Sequence, residues 1–80
     1  MRDITYTRLA EYRELSSTNT TIKKVCLVSW NGAAPVLDIR GWSVDGVRAF
    51  KGCTLNRAEA ELLRDTLNSI DFDRDFDETK

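Results

Sequence analysis

Apolar and β-branched residues alternate with polar residues along much of the first two thirds of the chain, which is the pattern of half-buried β-strands. The clearest strands are predicted at residues 22–30 and 36–44, and a third at residues 47–54. Turn dipeptides separate them, because Asn and Gly adopt the positive φ angles that tight hairpin turns need. These dipeptides are Asn31-Gly32 and Asp45-Gly46. We therefore expect antiparallel strands.

The segment before these strands is ambiguous. Residues 3–15 alternate well enough for a strand, whereas Thr7 and the residues after it also fit the start of a short helix. The strand is favoured. Residues 16–21 are polar and predict a loop. Gly41 and Gly52 fall inside predicted strands, where glycine indicates bulges or bends that curve a sheet.

Residues 56–69 predict one helix. Asn56 is a good N-cap, and Glu59 stands three residues later, at the spacing of a capping box. The helix carries an apolar stripe that must cover another surface, and the sheet face with Leu37 and Ile39 is the candidate. The stripe consists of Leu62, Leu63, Thr66, Leu67 and Ile70. Strands followed by a helix predict an α+β fold, with a curved four-stranded antiparallel sheet and one C-terminal helix.

Eighty residues make one domain, predicted over residues 1–70, and its thin core makes a homodimer a reasonable expectation. Residues 71–80 are acidic, lack apolar periodicity and predict a frayed, flexible tail. The net charge of −1 is divided unevenly. Residues 1–57 hold nine Lys/Arg and five Asp/Glu, whereas residues 58–80 hold three and eight. The predicted strands therefore carry a basic surplus, although the acidic balance of the whole chain does not favour nucleic acid.

Most chemistry is excluded by the residues that are missing. There is no histidine, and Cys26 and Cys53 belong to no metal-binding pair, so we expect no metal, no cofactor and no enzymatic activity. No glycine-rich phosphate loop or catalytic constellation is present. No apolar run is long enough for a signal peptide or a membrane span, so we expect a cytoplasmic protein with reduced thiols.

One sheet face carries the candidate binding residues. Because side chains alternate across a sheet, Arg40 and Trp42 share a face of one strand. Lys24 and Trp30 share a face of the neighbouring strand. A single helix covers only one face, so a face bearing these indoles and cations is left as an interface or a ligand platform. Further cations in the candidate set are Lys23, Arg48 and Lys51.

Each candidate also has a purely structural interpretation. Trp30 and Trp42 fit a core or a dimer interface, Arg40 fits an ion pair with Asp38, and the lysines fit solvated charges. The functional interpretation rests on two physical effects, because unpaired bases stack on aromatic rings and cations neutralise phosphates. The pattern leaves open a single-stranded nucleic acid, either DNA or RNA, and a protein partner docked on the aromatic face.

An ordered set of short motifs covers roughly residues 25–70. In order, the chain carries VSWN, Pro35, Asp38-Ile39-Arg40, Trp42, Lys51-Gly52-x-Thr54-Leu55 and a helix with Glu59. With this order and spacing it resembles the single-stranded DNA-binding domain of the transcriptional coactivator positive cofactor four, and especially its bacterial YdbC-like branch. The segments around residues 31–34 and 48–50 carry fewer cations than those of many relatives, which indicates modest affinity.

The resemblance implies a homodimer that pairs largely through its C-terminal helices and holds single-stranded DNA along its sheet faces, in transcription regulation or DNA maintenance. It implies that Arg40 contacts the phosphate backbone, that Trp42 stacks or packs against a base, and that Lys51 is a cationic contact. Trp30 falls near an aromatic or basic position of the family. Residues 4–15 become the first strand.

Overall fold

Four strands and two helical segments make up the structure, a computed structural model that describes residues 5–76. The elements are β1 (Tyr6–Ser17), β2 (Thr21–Trp30), β3 (Val36–Ser43), β4 (Ala49–Leu55), α1 (Arg57–Ser69) and α2 (Phe72–Asp75). Each strand pairs antiparallel with the next, so the sheet order is β1-β2-β3-β4. The predicted α+β fold is confirmed in its four-stranded antiparallel sheet and its C-terminal helix.

The first strand is longer and less regular than the sequence indicated. The helical alternative for this segment is wrong, and the polar loop begins only after residue 17. The pairing with β2 shifts register three times, after Arg8, Glu11 and Glu14. Each shift is a β-bulge, which bends a strand and increases its twist. The residues left without a partner are Leu9, Tyr12 and Leu15, which are 50%, 57% and 53% exposed.

The two predicted turns close in different ways. Asn31 and Gly32 have φ angles of 52° and 77°, and the Ala33 amide donates to the Trp30 carbonyl at 2.9 Å, as in a tight hairpin turn. The second connection is longer than the predicted two-residue hairpin, because β3 ends at Ser43 and β4 begins at Ala49. There the Asp45 carboxylate accepts hydrogen bonds from the Ser43 hydroxyl (2.5 Å) and the Val47 amide (3.0 Å), which closes a wider loop.

Two glycines lie where β3 and β4 approach closely. The pairing shifts register between Arg40 and Trp42, so a bulge stands opposite Gly41, close to where the sequence indicated one. At Gly52, which pairs with Arg40, an added Cβ atom would overlap the Arg40 Cβ and lie 2.7 Å from its Cα. Gly52 thus allows the β3 backbone and the base of the Arg40 side chain to pass directly beside β4.

Helix α1 begins as the sequence indicated. The Asn56 side chain accepts from the Glu59 amide at 2.9 Å, and the Glu59 carboxylate accepts from the Asn56 amide at 2.9 Å, which completes the predicted capping box. A cavity of about 290 Å³ separates the helix from the sheet, with Leu63 on one side and Leu37 and Ile39 on the other. The helix therefore lies over the predicted sheet face without packing closely on it, and none of its residues is fully buried.

The fully buried side chains lie on the opposite face of the sheet. They are Cys26, Val28, Asp38 and Trp42. The radius of gyration is 15.0 Å, whereas a compact domain of this length has about 12 Å. The chain is therefore an extended molecule with a small core, and that core is on the side of the sheet away from α1.

The acidic segment begins with a single helical turn. Residues 72–75 form α2, whose first turn is capped by Asp71 accepting from the Arg74 amide at 3.0 Å. The rings of Phe72 and Phe76 lie 5.3 Å apart. This part of the predicted unstructured tail is therefore helical, because an N-cap and an aromatic pair at helical spacing stabilise one turn. Residues 77–80 lie outside the described residues.

Candidate nucleic-acid interface

The predicted aromatic and basic residues meet on one face, here called the aromatic face. The register places Tyr6 opposite Trp30, Lys24 opposite Arg40 and Ile22 opposite Trp42, and residues directly opposite each other share a face. The aromatic face includes Tyr6, Arg8, Glu11, Glu14, Lys24, Trp30, Asp38, Arg40 and Trp42, together with the buried Cys26 and Val28. Helix α1 lies on the other side, here called the helix face, over Val25, Leu37 and Ile39.

A buried carboxylate organises the centre of the aromatic face. Asp38 is fully buried, and its two oxygens accept from the Arg40 Nε at 2.7 and 2.9 Å. One of them also accepts from the Trp30 Nε1 at 3.2 Å. Arg40 donates further to the Phe50 carbonyl at 3.0 Å, and its guanidinium lies 4.7 Å from the centre of the Trp30 ring. Arg40 therefore forms the ion pair with Asp38 that the sequence analysis gave as its structural role.

Trp42 is enclosed rather than open. It is fully buried, its ring lies parallel to that of Trp30 at 6.3 Å, and the Tyr6 ring approaches it at 5.2 Å. The Arg8 guanidinium lies 4.5 Å from the centre of its indole ring. In the free chain no face of the Trp42 ring is open to a base, and contact of this ring with a base, which the resemblance implies, stays a prediction. The physical reason for the closure is β1, which brings Tyr6 and Arg8 over a ring that pairing of β2 and β3 alone would leave open.

A second ion-pair group forms the rim of the aromatic face next to β1. The Glu11 carboxylate accepts from the Lys24 ammonium at 2.8 Å and lies 3.5 Å from an Arg8 nitrogen. The hydrogen bond from Lys24, followed by the charges of Lys24 and Arg8, lowers the pKa of Glu11 against a smaller opposing effect of desolvation. Glu11 is 45% exposed, whereas the Lys24 and Arg8 side chains are only 15% and 27% exposed. One solvent-facing carboxylate therefore contacts two cations, Lys24 through a short hydrogen bond and Arg8 at a longer distance.

Arg8 and Tyr6 are site residues that the sequence interpretation missed. The sequence did indicate that these two side chains share a face. Tyr6 and Arg8 stand two residues apart in a segment predicted to be a strand, and side chains alternate across a sheet. What the sequence could not supply is the register of β1 against β2, since three bulges interrupt the alternation after Arg8.

The remaining predicted cations lie away from this group. Lys23 pairs with Gly41 and so lies on the helix face, opposite to Lys24. Alternation along β2 already indicated this placement, and a contact between Lys23 and nucleic acid stays an untested prediction. The Arg48 guanidinium lies 5.8 Å from the Phe50 ring. Lys51 is exposed on the edge strand β4, and within residues 5–76 no carboxylate lies at ion-pair distance from it.

The described residues contain no group of three His, Cys, Asp or Glu side chains able to hold a metal ion. Both cysteines are free thiols, with Cys26 buried and Cys53 exposed, and burial raises the pKa of Cys26. Within residues 5–76, neither helix is long and apolar enough to cross a membrane.

Comparison with known proteins gives similarity without a described activity. No protein-family model matches the chain. Over 46 residues it is 52% identical to an uncharacterized protein of Treponema pallidum (strain Nichols). The aligned region covers 58% of this chain and 54% of that protein, so the chain spans about half the length of this relative. A functional conclusion therefore has to rest on the geometry of the aromatic face.

Proposed function

We propose that this protein binds single-stranded DNA on its aromatic face. The proposed binding depends little on base sequence and involves no catalysed reaction. One observation carries the proposal: cations from three neighbouring strands lie on the face that α1 leaves uncovered. Arg8 and Lys24 share the Glu11 carboxylate. Arg40 stands opposite Lys24 and beside a partly exposed Trp30. Several cations on one face suit a phosphate backbone, and a partly exposed tryptophan suits an unpaired base.

Two carboxylates of the aromatic face, Asp38 and Glu11, favour this role because they contact its cations. Asp38 holds the Arg40 guanidinium through Nε, and Arg40 Nη1 donates to the Phe50 carbonyl. The second terminal nitrogen makes no hydrogen bond within residues 5–76, so it can donate to a phosphate. Glu11 orients Lys24 in the same way. A guanidinium positioned beforehand loses less conformational entropy when it binds a phosphate.

The aromatic platform in this proposal differs from the one expected from the sequence. Trp30 is partly exposed and is held by its hydrogen bond to Asp38, whereas Trp42 is enclosed. The Trp30 ring has Arg40 over it at 4.7 Å and Tyr6 beside it at 5.3 Å, but it is partly exposed, so its exposed part is the first aromatic surface that a base meets. Stacking on such rings depends little on base identity, which is why we propose tolerance of sequence.

We further propose that the protein acts as a homodimer through its helix face. Leu62 and Leu67 of α1 are 68% and 45% exposed, and Tyr12, a bulge residue of β1 that is 57% exposed, lines the cavity near the start of α1. The apolar helix face thus favours a second copy as the protein partner.

Titration of a fluorescent oligo-dT strand, followed by anisotropy at low salt, tests the proposal. We expect binding that weakens with salt, and Trp30→Ala should weaken it by about 1–3 kcal/mol if the ring stacks on a base. Lys23→Ala is the matched control on the other face and should change affinity little. Absence of binding, or tighter binding to duplex DNA, would refute the proposal, and matched RNA strands as competitors decide between DNA and RNA.

A further inference from the structure

The Arg8 side chain covers Trp42, the fully buried ring of the aromatic face. Its guanidinium carbon lies 4.5 Å from the centre of the Trp42 ring, and Trp42 is fully buried. The other rings near Trp42 belong to Tyr6 and Trp30. Arg8 comes from β1, an edge strand of the sheet, and its neighbour in sequence, Leu9, is a bulge residue.

The Arg8 side chain makes few strong polar contacts in this position. Its ion pair with Glu11 is 3.5 Å long, and the same carboxylate oxygen accepts from Lys24 at only 2.8 Å. The Arg8 Nε and the Trp42 Nε1 are both buried and have no hydrogen-bond partner among residues 5–76. Buried donors without acceptors are unfavourable, so a ligand that brings acceptor oxygens to this point gains more than it would at a satisfied site.

We propose that Arg8 is a displaceable cap on Trp42: a phosphate of single-stranded DNA draws the guanidinium off the ring, and a base takes its place. The inference rests on the proposed function and adds a residue and a ring to it. A guanidinium binds phosphate through two parallel hydrogen bonds, which suits Arg8 once it leaves the ring. The ring it uncovers is an indole, which stacks well on any base.

Arg13 provides a matched control on the same strand. It is an exposed arginine that pairs with Val25 on the helix face, and no carboxylate of residues 5–76 lies at ion-pair distance from it. Removing Arg13 changes the charge of β1 as much as removing Arg8 does, but it uncovers no ring. A difference between the Arg8 and Arg13 variants in Trp42 accessibility or DNA affinity is therefore due to uncovering the Trp42 ring and not to the loss of a positive charge.

The first arm of the experiment uses the free protein. The chain has two tryptophans, so Trp30→Phe leaves Trp42 as the only indole fluorophore. In that background we expect Arg8→Ala to raise the acrylamide quenching constant of Trp42 several-fold, and Arg13→Ala to leave it unchanged. Equal quenching in the two variants would overturn the cap. If Trp30→Phe fails to fold, 5-fluorotryptophan labels in the otherwise unchanged chain give the same comparison through the solvent shift of the Trp42 fluorine signal.

The second arm adds oligo-dT. We expect Trp42 emission to fall on binding, and Arg8→Gln to weaken binding by about tenfold, the order of one lost stacking or phosphate contact. Arg8→Lys should keep most of the affinity, because the positive charge remains, while its Trp42 is already accessible before DNA is added. Binding with unchanged Trp42 emission would overturn the displacement and leave the proposed function standing. Absence of binding in every variant would refute the proposed function and the displacement together, while the first arm still decides whether Arg8 caps the ring.

Discussion

The two faces of the sheet differ in how their side chains are packed. The aromatic face is closed by polar contacts, since Asp38 is fully buried and ties Arg40 and Trp30 together. The helix face is apolar but open, with cavities of about 290 and 310 Å³ between α1 and the sheet. The face proposed to bind DNA is therefore also the face that stabilises the monomer, whereas the apolar face is the one that needs a partner. Mutations on the first should change stability and binding together, and mutations on the second should change association.

The largest effect should come from the buried carboxylate of the aromatic face. Asp38→Ala leaves the Arg40 guanidinium and the Trp30 Nε1 without their acceptor, and breaking a buried ion pair by removing one partner costs about 3–5 kcal/mol. Urea unfolding followed by circular dichroism measures the loss. Asp65→Ala removes an exposed carboxylate from an ion pair on α1 and should cost less than about 1 kcal/mol. Similar losses in both variants would mean that the aromatic face is not the stabilising one.

The second effect should appear on the helix face as a change of association. Leu62 is 68% exposed, so Leu62→Glu should leave the fold of one chain intact. If a second copy covers this side chain, the substitution should weaken the dimer by about 1.5–3 kcal/mol, the value of burying one leucine. Sedimentation velocity over a range of concentrations reports the shift. Val47→Glu in the β3–β4 loop, where Val47 is 70% exposed, is the control and should not shift it.

A third effect tests how tightly the aromatic face is built. Gly52→Ala places a methyl group against the Arg40 Cβ and the β3 backbone, and such overpacking costs about 1–3 kcal/mol. Because Arg40 must move, DNA affinity should fall as well. Cys53→Ala alters the next residue of the same strand, which is exposed, and should change neither property noticeably. A Gly52→Ala protein with unchanged stability would show that β3 and β4 yield at this point.

The smallest effect concerns the rim of the aromatic face and depends on pH. The pKa of Glu11 is lower in the folded chain than its ordinary value of 4.5, chiefly because Lys24 donates a hydrogen bond to it. Its contribution to stability is therefore present above pH 4.5 and is lost as the pH falls through the lower folded pKa. Glu11→Gln should shift the urea midpoint slightly at pH 7 and not at pH 2.5. A shift of the same size at both pH values would contradict the ion pair as its cause.

Local signals in the sequence predicted most of the fold. Asn56 with Glu59, and Asn31 with Gly32, depend on neighbouring backbone groups only, and the structure has the predicted cap and turn. The candidate site was predicted less well, because burial of Trp42 depends on β1, a strand that is distant in sequence and broken by bulges. Alternation identified the residues that share a face with Trp42. It could not tell that Arg8 and Tyr6 would close over the ring.

The three bulges of β1 also decide how this protein avoids unwanted assembly. An edge strand exposes unpaired backbone groups along its outer side, which is where a strand from another chain can add to a sheet. In β1 the ladder is interrupted about every third residue, at Leu9, Tyr12 and Leu15, so an incoming straight strand cannot keep its hydrogen bonds in register. Growth of fibrils by strand addition at this edge is therefore disfavoured by the backbone itself, even though apolar side chains are exposed there.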